Sequence, residues 1–75
     1  MFPNKIIPIQ ESLFPIMVDI VRLEKSGKER LSDMYKELDK RYDTDMIIDS
    51  FDVLYAMRYI EIDDRGCLHV IQDRM

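Results

Sequence analysis

Between Asp43 and Ile71 the apolar residues change period, from that of a helix to that of a strand. Ile47, Phe51, Leu54 and Tyr55 recur at i, i+4, i+7 and i+8, with Thr44 as N-cap, which predicts a helix over about Asp45 to Arg58. From Tyr59 the chain reads as two short strands, Tyr59–Ile62 and Cys67–Ile71, around Asp63-Asp64-Arg65-Gly66. An aspartate opening a turn and a glycine closing it suit a tight reversal, because glycine accepts positive φ. A helix feeding directly into a hairpin, with shorter helices upstream, is the outline of a winged helix. The expected class is α+β: three helices followed by a β-hairpin wing.

Upstream, residues 1–10 hold two of the three prolines with Ile6, Ile7 and Ile9 among polar positions. Proline removes backbone donors and disfavours helix before it, so this segment is expected as an extended N-terminal arm. The winged-helix domain would then span 11–75. The arm either packs back on the domain or lies on a partner. A first helix is expected from Ser12 as N-cap to about Lys25, with Pro15 in its first turn and Gly27 as the C′ residue. Its apolar residues, Leu13 to Leu23, cover well over half the circumference and leave Asp19 and Arg22 to mark an outer face. A second helix, capped by Ser32, shows one stripe (Met34, Tyr35, Leu38) and a solvated face of mixed charge.

Seventy-five residues make one domain, near the lower size at which a single core suffices. Its 15 acidic and 11 basic residues give a net charge of −4, which argues against a protein built mainly to neutralise phosphate. Cys67 is the single cysteine, which excludes an internal disulfide and suits a reducing cytosol. The amino terminus lacks the features of a signal peptide, and no apolar run approaches the roughly 20 residues that span a bilayer. The expectation is a cytoplasmic protein with no membrane association.

The third helix carries the most information about partners. In a DNA-binding winged helix it meets phosphates and base edges and needs basic and amide side chains. Here Asp45, Asp49 and Asp52 form an acidic stripe, which disfavours DNA binding by this chain alone. Met46, Val53 and Met57 make a second apolar flank, more than a small three-helix domain needs for its own core, and methionine-rich surface is common at protein contacts. Those three residues, with Ile6, Ile7 and Ile9, are the expected partner-binding set. Arg65, at the wing tip, is the basic residue placed for a backbone contact with DNA. No catalytic residues, cofactor or metal site are expected. The acidic series lacks the glycine of a calcium loop, and Cys67 with His69 are too few ligands for zinc. A single histidine and no glycine-rich phosphate loop point away from an enzyme.

The opening Pro3-Asn4-Lys5-Ile6-Ile7-Pro8, the Glu11-Ser12-Leu13 at the mouth of a hydrophobic helix, and Phe51-Asp52-Val53-Leu54-Tyr55-Ala56-Met57 followed by Tyr59-Ile60-Glu61 resemble the small middle components of bacterial ABC-three-component systems. In that family the later segment commonly reads Leu-Leu-Tyr/Phe-Ala-Leu-Gly before a strand. This sequence departs from it by placing Arg58 where glycine is common, which puts the ending of the third helix in question. The resemblance implies a winged-helix adaptor between an SMC/RecN-like ABC ATPase and a larger third component, in conflict with phages and mobile elements. The alternative is a small winged-helix DNA-binding transcriptional regulator, motivated by fold alone. A homodimer is compatible with either.

Overall fold

The computed structural model describes the backbone of residues 6–71 and the side chains of residues 13–71. Three helices, α1 (Ile6–Lys25), α2 (Leu31–Asp39) and α3 (Thr44–Ala56), are followed by strands β1 (Ile60–Ile62) and β2 (Leu68–Val70). The strands pair antiparallel in the register Ile60↔Val70, Glu61↔His69 and Ile62↔Leu68. Three helices closed by this hairpin wing give the α+β, winged-helix-like layout.

The first helix begins at Ile6 rather than Ser12, so residues 6–10 open α1 instead of forming an extended arm. Pro8 is the third helical residue, where backbone N–H groups have no acceptor within the helix, so it does not bar the turn. Pro15 consequently sits inside α1 and withholds a donor from the carbonyl four residues earlier. Residues 1–5, the side chains of Ile6, Ile7 and Ile9, and the tail 72–75 lie outside the described residues.

The end of α1 follows expectation. Gly27 has φ +102°, Lys28 N–H donates to the Leu23 carbonyl at 2.9 Å, and Gly27 N–H donates to that of Glu24 at 3.1 Å. This is the Schellman pair of bonds. The end of α3 repeats it with a different residue. Arg58 has φ +60°, Tyr59 N–H donates to the Leu54 carbonyl at 3.0 Å, and Arg58 N–H donates to that of Tyr55 at 3.0 Å. An arginine thus fills the left-handed position that favours glycine.

Two expected caps differ. Ser32 lies inside α2, and the residue before that helix, Arg30, is extended with no side-chain cap. Its surroundings explain this: Leu31 N–H donates to the Gly66 carbonyl at 3.0 Å and Leu68 N–H to that of Glu29 at 2.8 Å. A single bridge, Arg30↔Cys67, therefore lies beside β2 and ties the α1–α2 connection to the wing. Thr44 is the first residue of α3 rather than its cap, and its hydroxyl bonds to the Tyr35 hydroxyl at 3.0 Å.

The core joins Leu13, Ile16 and Ile20 of α1, Met34 and Leu38 of α2, Ile47 and Leu54 of α3, and Ile60 and Leu68 of the wing, all buried. Ser50 is buried among them and donates its hydroxyl to the Met46 carbonyl at 2.8 Å. Tyr55, expected on the core face of α3, is 60% exposed. Eight residues on from Ile47, it is rotated about 80° from it, whereas Leu54 is about 20° away. Outside the core, Asp19 Oδ2 accepts hydrogen bonds from Arg41 and from the Tyr42 hydroxyl, both at 2.8 Å, so it ties α1 to the α2–α3 connection.

Candidate functional site

An apolar groove of about 340 Å³ opens between α1 and the end of α3. Phe14, Met17, Val18 and Val21 line it from α1, and Leu54, Met57 and Tyr59 from the end of α3 and its turn. The α1 residues stand at i, i+3, i+4 and i+7, so they form one helical stripe. Because α1 is apolar round most of its circumference, packing Ile16 and Ile20 inward leaves this second stripe uncovered. The reversal at Arg58 carries the chain from α3 into β1, so α3 stops before it can cover the stripe. Phe14 is 61% and Met57 51% exposed, a large amount for side chains of that size. Arg22 and Lys25 flank the groove and give it a basic edge.

Of the residues expected at a partner contact, Met57 lines this groove. Met46 and Val53 are half-buried against the core and do not join it. Ile6, Ile7 and Ile9 lie on α1, upstream of the groove. Phe14, Met17, Val18 and Val21 are not among the residues expected at a contact from the sequence; the signal that points to them is the excess apolar coverage of the first helix.

The outer face of α3 is acidic. Asp45, Asp49 and Asp52 are exposed, beside exposed Ile48 and Tyr55. Arg65 is exposed at the wing tip. Lys28, in the α1–α2 connection, is already engaged with Glu37 at 3.0 Å, and Lys40, just after α2, lies 3.7 Å from the same carboxylate. The Lys28 contact is the main reason the Glu37 carboxyl is held below its usual pKa.

A second constellation forms at the turn of the wing. Asp63 Oδ1 accepts from the backbone N–H groups of Arg65 at 2.9 Å and Cys67 at 3.0 Å, and its Oδ2 lies 2.9 Å from His69 Nε2. The turn closes with Gly66 at φ +80° and Gly66 N–H on the Asp63 carbonyl at 3.1 Å. The hydrogen bond from His69, followed by that from Cys67 N–H, lowers the Asp63 pKa to about 2. Asp63 in turn raises that of His69, with smaller contributions from Glu29 and Glu24. Those glutamates belong to the end of α1 and the loop after it. One oxygen of each and one ring nitrogen of His69 lie within 4.8 Å of one another. Nothing in their sequence spacing marks this grouping.

The fold defines a small winged-helix-like domain whose distinctive surface is an apolar groove. The family described as ABC-three component (ABC-3C) system Middle Component 7 matches residues 2–69, and the chain belongs to that family. Neither a curated protein nor a solved structure matches the chain. Membership makes it a middle component of an ABC-three-component system, a multi-subunit assembly. Among the described residues no helix is long and apolar enough to cross a membrane.

Proposed function

We propose that this chain is a non-enzymatic adaptor that bridges an SMC/RecN-like ABC ATPase and a larger third component by protein–protein contacts, in a system directed against phages and mobile elements. The observation that carries this reading is the groove lined by Phe14, Met17, Val18, Val21 and Met57. Exposed apolar surface of this kind marks a contact that a partner completes. Arg22, exposed at the groove's edge, fits an apolar partner segment that carries an acidic residue beside its anchors. Partner contact by Ile6, Ile7 and Ile9 belongs to the same proposal, since they extend α1 beyond the groove.

Less supports a DNA-binding regulator. The exposed face of α3 carries Asp45, Asp49 and Asp52, which would oppose phosphates, and Arg65 is a single charge at the wing tip. Co-expression with the ATPase and third component encoded beside it, followed by pull-down, tests the adaptor reading. Phe14→Glu combined with Met57→Lys should leave the fold intact, because both side chains are more than half exposed, and should abolish co-purification. A wild-type chain that stays alone and monomeric in the presence of both neighbours refutes the reading.

A further inference from the structure

We propose that Glu24, Glu29 and His69 form a binding site for a first-row divalent cation of the Zn²⁺ type, with Asp63 as the outer carboxylate that positions the histidine. The three ligand atoms already lie within 4.8 Å of one another, and all three residues are half-buried. In a tetrahedral site with bonds of about 2.0–2.2 Å, neighbouring ligand atoms stand about 3.3–3.6 Å apart, so modest side-chain movement closes the set. One imidazole and two carboxylates leave the fourth position to water. Imidazole suits zinc and its neighbours, whereas magnesium and calcium require all-oxygen shells.

Independent support comes from Asp63, which is not a ligand. Metal-bound histidines commonly give their second ring N–H to a carboxylate, which fixes the tautomer and the ring plane. Here Nε2 lies 2.9 Å from Asp63 Oδ2, and the other oxygen of that carboxylate is anchored by two backbone N–H groups. With Nε2–H given to the Asp63 carboxylate, the lone pair resides on Nδ1, which is the nitrogen left to take a metal. Asp63 is therefore a positioning residue. The ligands come from the end of α1 (Glu24), the loop after it (Glu29) and β2 (His69), so the cation would clip the wing to the first helix. Backbone bonds already hold this junction, with Leu68 N–H on the Glu29 carbonyl at 2.8 Å. The surrounding charges favour a cation: Glu24, Glu29 and Asp63 face His69, and Glu61 lies opposite it in the ladder. Binding must displace the imidazole proton, so affinity falls as the pH drops.

The test is calorimetric titration of the full chain with Zn²⁺ in a Cys67→Ser background, which removes the thiol as a competing ligand. The expected result is one Zn²⁺ per chain, a rise in melting temperature on binding, and no competition from excess Mg²⁺. Glu24→Gln with Glu29→Gln, and separately His69→Gln, should each weaken binding at least about tenfold. Asp63→Asn keeps an oxygen for the turn and should weaken it about 10–100-fold, the usual cost of losing a carboxylate behind a metal-bound histidine. Affinity undiminished by His69→Gln or by the double-glutamine change, absence of saturable binding, or preference for Mg²⁺ would each overturn the site.

Discussion

Arg58 offers a direct test of how α3 ends. It holds φ +60°, and the two bonds at this end match those at Gly27. A non-glycine residue in the left-handed region costs roughly 1–2 kcal/mol. Glycine removes that cost and adds about 0.5–1 kcal/mol of unfolded-state entropy, so the net gain is about 0.5–1 kcal/mol. Arg58→Ala is the proper reference, because it already loses the charge near the helix C-terminus and the apolar stem of the arginine. Arg58→Gly should therefore be more stable than Arg58→Ala by about 0.5–1 kcal/mol. In a domain this small, each kcal/mol corresponds to roughly 4–8 °C in melting temperature. Two residues earlier, Ala56 is the last residue of α3, and Ala56→Gly should destabilise by about 0.5–1 kcal/mol. Urea and thermal unfolding of the three variants beside wild type read both differences. Arg58→Gly no more stable than Arg58→Ala would refute the left-handed assignment.

Three further outcomes are expected. Gly27→Ala should cost about 1 kcal/mol in urea unfolding: an added Cβ meets nothing within 4 Å, so the penalty is torsional, at φ +102°. Leu38→Ala removes a fully buried side chain, a loss of about 2–5 kcal/mol against the roughly 3–5 kcal/mol a domain of this size possesses, and circular dichroism should show a largely unfolded chain. The third concerns the Asp63–His69 pair. His69 is raised above 6.5 by Asp63, so the stability it contributes is fully present below 6.5 and is lost as pH rises through its folded value. Asp63 is lowered from 3.8 to about 2, so its share is present above 3.8 and lost as pH falls through about 2. Asp63→Asn should return the His69 titration, followed by NMR, toward 6.5 and flatten the alkaline limb of stability; an unchanged titration would refute the pairing.

Much of the fold could be read from local pattern. The switch of period after Tyr55 marks the passage from α3 to the hairpin, since one helical face and one alternating strand face cannot share a spacing. Gly27 and Gly66 announced their turns because the backbone there needs positive φ. Family membership over residues 2–69 agrees with what the Phe51–Glu61 segment resembled. Helix boundaries were less legible. A proline at the third position of α1 looks like a helix breaker until the helix is known to start two residues before it. Ser32 looks like a cap until the wing is seen to take the preceding backbone bonds.

The sequence by itself determined three helices, a hairpin, an acidic α3 and an excess of apolar side chains on α1. These follow from periodicity and charge, which each segment carries alone. Which of those apolar side chains remain at the surface was decided only by tertiary packing. Ile16 and Ile20 turn to the core while Phe14 and Met57 line an open groove, because α3 reverses at Arg58 before covering it. The junction at the wing is likewise tertiary. Glu24, Glu29, Asp63 and His69 come from three separate segments, and the bridge between Arg30 and Cys67, with the packing of Leu68 against α1, brings them together.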